Sequence, residues 1–224
     1  MSKIKVCHLY YDIMNLYGEN ANIRAIEKMC EYQGITCEVS LKTINDKIDF
    51  NSYDIYYMGS GDEKSELLVL EDLIKYKDKI KASIESGKTF IITGNASELF
   101  GSYIVDNGVK YDALGVFNYN SVHEAFRIVG SVTFSTKLIK EKIIGFQNRC
   151  GIMNDIDKPL FKVISGTGSS INSKTEGIHY KNFFATYVFG PLLIRNPYFT
   201  SYILKNIMKE KNPKYKFKII SKTN

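Results

Sequence analysis

Apolar residues in the first hundred positions form short continuous runs that alternate with segments where they recur every three or four residues. This is the pattern of strands buried on both faces alternating with amphipathic helices. Residues 3–10 read as a strand. Residues 20–33 read as a helix, with Ile23, Ile26 and Cys30, and Ala25 and Met29 between them, on its apolar side and Gly34 as its stop. A second strand over 35–41 and a third over 53–58 follow, the latter ending at Gly59-Ser60-Gly61. Residues 65–86 predict one helix whose core face carries Leu67, Leu68, Leu70, Leu73, Ile74, Ile80 and Ile84, with Gly87 closing it. Residues 88–93, with Thr-Phe-Ile-Ile at their centre, predict a strand in the middle of a parallel sheet. Right-handed βαβ crossovers join such elements into an α/β fold with a mainly parallel, flavodoxin-like sheet flanked by helices, placing Val6, Ile55 and Ile91 on adjacent or near-adjacent strands.

At Thr93-Gly94-Asn95-Ala96-Ser97-Glu98-Leu99-Phe100-Gly101 a buried strand passes directly into a short helix, which makes an elbow. From about Val105 the texture changes to β segments punctuated by Gly, Asn and Asp, over 125–134, 143–148, 161–164, 177–180 and 183–188. They predict either added strands on the parallel sheet or an antiparallel flap beside it. A helix over 197–211 closes the fold.

Composition narrows the function classes. The 224 residues suit one domain, 1–211, followed by a basic tail, 212–224. The formal charge of +6 is local, because Lys205, Lys209, Lys211, Lys214, Lys216, Lys218 and Lys222 crowd the C-terminus. That end reads as a solvated face or as a docking point for an acidic partner. Without an RRM, KH or zinc-finger pattern the charge does not predict nucleic-acid binding. No apolar run approaches the ~20 residues of a membrane span, and no apolar leader follows the first residues. Cys7, Cys30, Cys37 and Cys150 form no CxxC pair and no metal spacing, which predicts a reduced, cytoplasmic setting. Gly166-Thr167-Gly168 lacks the third glycine and acidic partner of a dinucleotide site, so no cofactor is expected.

Ligands of open parallel sheets bind outside the carboxyl ends of the strands. Residues 11–20, 59–62 and 93–97 fall there. Gly59 and Gly61 would let backbone approach a ligand and offer N–H groups to an oxyanion, or they simply make a turn. Thr93, Ser97 and Cys150 are the candidate nucleophiles, and each needs a base that only His8, His123 or His179 could supply.

Certain words recur in a telling order: Asn15-Leu16-Tyr17-Gly18 with Asn22-Ile23, Gly59-Ser60-Gly61-Asp62, Gly145-Phe146-Gln147-Asn148, Glu176-Gly177, and 185–193 (Ala-Thr-Tyr-Val-Phe-Gly-Pro-Leu-Leu) with Arg195-Asn196-Pro197. Over roughly residues 5–210 they resemble the CobQ/CobB-type class I glutamine amidotransferases, most closely the GatD glutaminase subunits of lipid II isoglutaminyl synthase. The resemblance implies a class I amidotransferase-like fold. It also implies a nucleophilic cysteine at the elbow, in Cys-Gly-Gly-Tyr-Gln, and a histidine in Thr-Tyr-Leu-His-Gly-Pro. In this chain Gly94 takes the place of the cysteine and Phe189 that of the histidine, so neither catalytic side chain is present.

The binding positions implied by the resemblance are Gly59, Ser60, Gly61, Asn95 and Arg127. Gly61 matches the oxyanion glycine, with Ser60 replacing a neighbouring glycine, and Arg127 matches an arginine that captures the substrate carboxylate. Arg127 otherwise reads as half of an ion pair with Glu124 or another acid. Phe189 is expected to touch Gly94 and fill the space of the lost thiol and imidazole with an apolar floor. Three functions follow. The first is a non-catalytic subunit of a Mur-ligase-like synthetase. The second is a glutaminase that supplies ammonia for peptidoglycan modification through an unrecognised nucleophile. The third is a stand-alone sensor of an amino acid or carboxylate.

Overall fold

Alternate side chains of the buried strands point to opposite faces of one sheet, and this divides the core in two. The computed structural model describes residues 2–220. Its first half runs β1 (Lys3–Leu9), α1 (Asn20–Gln33), β2 (Thr36–Lys42), β3 (Ile55–Met58), α2 (Glu63–Leu73), α3 (Lys77–Glu85) and β4 (Thr89–Thr93). β1 pairs in parallel with β2 and β3, and β3 with β4, placing Val6 opposite Ile55 and Tyr57 opposite Ile91, as expected. Tyr56, Met58, Phe90 and Ile92 face α2 and α3, while Ile55, Tyr57 and Ile91 face α1 and the C-terminal helix.

The single helix expected over 65–86 is interrupted. A 3₁₀ turn, Ile74–Tyr76, separates α2 from α3. Tyr76 is drawn inward there, its hydroxyl donating to the Asp46 carbonyl at 3.1 Å and accepting from the Ile48 N–H at 3.3 Å. The helix after the elbow is likewise a 3₁₀ segment, Gly94–Phe100.

The second half both extends the first sheet and builds another. The second sheet contains β5 (Tyr103–Asp106), β6 (Val109–Asp112), β7 (Asn120–Ser135), β8 (Ile143–Asn154), β9 (Phe161–Ser165) and β10 (Thr175–Glu176) in the order β10-β9-β7-β5-β6, with β8 also paired to β7. β5, β6 and β10 carry no strong apolar pattern, and reading them from sequence fails for that reason. β11 (Ile178–Tyr180) and β12 (Phe183–Thr186) return to the first sheet, giving the order β11-β12-β4-β3-β1-β2, in which only the β11 pairing is antiparallel. β12 stops two residues before the expected end because the Tyr187 and Val188 N–H groups turn to side chains, the first to Glu176 at 2.7 Å and the second to Thr186 at 3.1 Å. A short α4 (Leu192–Arg195) precedes α5 (Pro197–Lys211), whose proline starts the helix where no N–H is needed.

Beyond α5 the basic segment lies along the end of α1. The Lys218 N–H donates to the Gln33 side-chain oxygen at 2.8 Å, and the Gln33 amide donates back to the Lys218 carbonyl at 2.9 Å. Tyr215 and Phe217 pack on the α1/α5 core, and Lys222 lies outside the described residues. No helix among the described residues is long and apolar enough to cross a membrane.

His8 makes this core acid-sensitive. It is 1% exposed, its ring lies 5.1 Å from that of Tyr57, and its Nε2 has no partner. Burial lowers its pKa to about 4 against the opposing pull of Asp12. The fold therefore keeps the ring neutral while the unfolded chain takes up a proton near pH 6.5. No stability is lost to this residue above pH 6.5, and roughly 3 kcal/mol is lost as pH falls towards 4. Urea midpoints should separate the wild type from His8→Gln progressively between pH 6.5 and 4.5, the wild type losing more. Parallel pH profiles would contradict this.

Candidate functional site

β4 is buried throughout, and the chain leaves it through Gly94 at φ +68°, a left-handed conformation costly for any residue with a Cβ. Space is lacking as well. A Cβ on Gly94 would lie 2.4 Å from the Ser60 Cβ and Oγ. Ser60 therefore fills the place above the elbow that was expected of Phe189. Phe189 instead stacks on Tyr17, with centroids 4.0 Å apart and planes 3° apart, and meets the edge of Phe146. Its backbone pairs with that of Phe146 at 3.0 and 3.3 Å.

Gly94, Ser60, Gly61, Asn95, Arg127 and Phe189 all line one cavity at the carboxyl ends of β3 and β4. Gly59 lies behind the lining: a Cβ there would sit 2.5 Å from Glu19 and from the Met14 carbonyl oxygen. The floor is polar, contrary to the apolar floor expected, because Glu66, Glu98, His123 and Arg149 also face in. Free space amounts to about 10 Å³, room for one water-sized body.

Each group that could grip a substrate already has a partner in the chain. The Gly61 N–H donates to the Asn95 side-chain oxygen at 3.0 Å, and Ser60 Oγ donates to the same atom at 3.0 Å. Asn95 Nδ2 donates to Glu66 at 2.9 Å. Arg127 donates through one terminal nitrogen to Glu63 at 2.8 Å, through Nε to the Asn148 side chain at 2.8 Å and through the other terminal nitrogen to the Asn148 carbonyl at 3.3 Å. The ion pair is thus with Glu63, not Glu124. Burial would raise the Glu63 carboxyl, but Arg127 outweighs it and holds the group below the usual carboxylate range.

The alternative nucleophiles are equally engaged. Cys150 Sγ donates to Glu63 at 3.1 Å, and burial together with that carboxylate raises the thiol to about 12. Ser97 Oγ donates to the Gly94 carbonyl at 2.6 Å. Thr93 Oγ1 donates to Glu19 at 3.0 Å. Among the described residues none of the three bonds to a histidine. His179 stacks on Phe184, and His8 lies in the core beside Tyr57.

His123 enters the cavity because the β7–β8 register shifts between His123 and Ile128, which turns both His123 and Arg127 inward. Its Nε2 is 3.1 Å from Glu98 and 3.6 Å from Glu66, and its Nδ1 is 2.9 Å from Asp106. Burial opposes charge on the ring, but Glu98 and Asp106 prevail and raise its pKa to about 9. Burial, then the nearby Glu98, raises Glu66 well above the usual carboxylate range. Arg149 lies 3.9 Å over the Tyr187 ring and donates to the Gly151 and Gly168 carbonyls.

Beneath the elbow Glu19, fully buried, accepts from Tyr57 at 2.7 Å, Thr93 at 3.0 Å and Asn22 at 3.1 Å, and the Asn22 oxygen accepts from the Leu193 N–H at 2.8 Å. Burial raises the Glu19 carboxyl against these hydrogen bonds. Sequence reasoning missed Glu19, Glu66 and the Glu98–His123–Asp106 line. Glu66 reads as an ordinary first-turn acid of a helix. His123 was legible only as one of three candidate bases, and Glu98 only as a charge where the family motif carries glutamine.

The CobB/CobQ-like glutamine amidotransferase domain matches residues 5–197. The chain is 30% identical over 213 residues to the lipid II isoglutaminyl synthase (glutamine-hydrolyzing) subunit GatD of Streptococcus pneumoniae, covering 93% of this chain and 82% of that one. It is 29% identical over 212 residues to the same-named subunit of Staphylococcus aureus, covering 94% and 87%. The glutaminase domain of a Trypanosoma brucei CTPS, solved with bound acivicin, shares the fold at a TM-score of 0.54 and 9% identity, covering 96% of each chain. A β4 elbow at the mouth of a parallel sheet and a matched domain spanning most of the sequence together place this chain in the CobB/CobQ-like glutamine amidotransferase family.

Proposed function

We propose that this chain is a non-catalytic member of its family, a cytoplasmic subunit that binds a Mur-ligase-like synthetase acting on peptidoglycan precursors and does not itself release ammonia. One observation carries the reading: every position that would attack, polarise or hold glutamine is bonded to, or blocked by, another group of the chain. Ser60 blocks the space at Gly94, Asn95 takes the Gly61 N–H, and Glu63 takes the Arg127 fork. Glycine and phenylalanine at positions 94 and 189 offer neither nucleophile nor base. The cavity at the elbow, about 10 Å³, has no room for glutamine beside Gly94. The partner follows from the relatives, whose name makes them subunits of a synthase.

Co-expression with the Mur-ligase-like synthetase of the same organism is expected to yield one complex in which the synthetase uses free ammonia and not glutamine. Glutaminase assays, alone and in the complex, are expected at background. Robust release of ammonia, abolished by Cys150→Ser or Ser97→Ala, would overturn the proposal in favour of a working glutaminase. The pair Gly94→Cys with Phe189→His is expected to remain at background, because Ser60 and Asn95 still obstruct the thiol and the oxyanion donor.

Stability measurements test the same geometry. Gly94→Cys should cost roughly 2–4 kcal/mol in urea unfolding, from overpacking against Ser60 and the left-handed backbone. Adding Ser60→Gly should return the overpacking share, about 1–3 kcal/mol. If the two substitutions are simply additive, the contact between residues 60 and 94 is not the constraint described.

A further inference from the structure

Glu66, Glu98 and His123 converge beside the elbow in a way that hydrogen bonding leaves incomplete. One oxygen of Glu66, one of Glu98 and a His123 nitrogen lie within 4.8 Å of one another, and His123 Nε2 is 3.1 Å from Glu98 Oε2 and 3.6 Å from Glu66 Oε2. Ligand atoms around a tetrahedral zinc-sized ion are about 3.4 Å apart. We propose that these three side chains form a binding site for one divalent transition-metal ion, such as zinc or manganese. The inference is independent of whether the chain binds a synthetase.

The outer contacts match what a metal ligand requires. Asp106 faces His123 Nδ1 at 2.9 Å, which presents the opposite nitrogen to the two glutamates, and a carboxylate behind an imidazole is the usual support for a metal-bound histidine. Asn95 Nδ2 donates to the same Glu66 oxygen at 2.9 Å and fixes its position. A proton on His123 Nε2 can bridge to one glutamate but does not satisfy the rest of the site. Glu66 Oε1, Glu98 Oε1 and the Tyr187 hydroxyl have no hydrogen-bond partner, although Glu66 and Glu98 are fully buried and Tyr187 is 1% exposed. All three residues line the same cavity. Buried polar atoms without partners are rare, and the Tyr187 hydroxyl, close to Glu98, brings a further polar atom to the same cavity.

Room and access are present. The cavity holds one water-sized body, enough for an ion and not for a larger ligand. A groove of about 740 Å³ that shares Glu63, His123, Arg127 and Cys150 with it, and is lined also by Asp106, adjoins it. Two carboxylates and one imidazole suit a borderline or hard divalent cation, and three protein ligands leave a position for water.

The test is calorimetric titration of ZnCl₂ into protein dialysed against a chelator, repeated with Co²⁺ read by its visible absorption. The expected result is one ion per chain and four-coordinate cobalt bands. Glu66→Gln with Glu98→Gln should weaken binding at least tenfold and remove the bands. Asp106→Asn, a positioning change, should weaken binding by about 10- to 100-fold while leaving the stoichiometry at one. Circular dichroism shows whether each variant is folded. If the double variant does not fold, Glu98→Gln alone decides the matter. Absence of stoichiometric uptake by the wild type, or uptake unchanged in a folded glutamate variant, would overturn the site and assign any binding to other histidines or cysteines.

Discussion

The contact between Ser60 and the backbone of Gly94 is the constraint on which the site depends. Because β4 is buried on both faces, the direction in which the chain leaves it is fixed by the sheet. The turn requires φ +68° at residue 94, and the Ser60 side chain removes the volume a Cβ would need. Ser60 in turn cannot retreat. Gly59 behind it backs directly onto Glu19 and the Met14 carbonyl, and Glu19 is tied to β3 by Tyr57, to β4 by Thr93 and to α1 by Asn22. A buried carboxylate holding three donors thus sets the height of the 59–61 loop, and the loop dictates glycine at the elbow.

From the elbow the consequences run outward. Asn95 follows Gly94 and accepts from the Gly61 N–H, so the donor that an oxyanion would use is neutralised inside the chain. Its amide then steadies Glu66, which brings the first turn of α2 into the cluster with Glu98 and His123. Glu63, one turn earlier, occupies both Arg127 and Cys150. The family's architecture is retained while the groups within it bind one another.

The sequence made the parallel sheet legible because β1, β3 and β4 are short apolar runs separated by amphipathic helices, and α5 carries both its proline start and its apolar stripe. The same rules misread 65–86 as one helix, since nothing local announces that Tyr76 reaches across to the 46–48 loop. β5, β6 and β10 were illegible because they are only two to four residues long, so tertiary pairing and not periodicity makes them strands. The resemblance identified the elbow and the residues at 61, 94 and 127. It could not show that Asn95, Glu63 and Ser60 occupy them, because those contacts join segments more than thirty residues apart. Glu66 and His123 look like ordinary surface polar residues until a helix turn and a strand bulge bring them together.

That buried cluster contrasts with the aromatic residues lining the same cavity. If the thiol and imidazole were only lost, the simplest stable filling would be apolar, since replacing buried charges by well-packed hydrophobic groups is often neutral or stabilising. Phe189 follows that course, stacked on Tyr17 in an aromatic layer. A few ångströms away the chain does the opposite. It buries Glu66 and Glu98 completely, holds His123 between them and Asp106, and leaves oxygens on both glutamates without partners. Unpaired buried carboxylate oxygens cost stability, about 1–3 kcal/mol for each unsatisfied group. In a cavity the size of one water, the charge and size of this cluster suit a small cation better than a neutral amide.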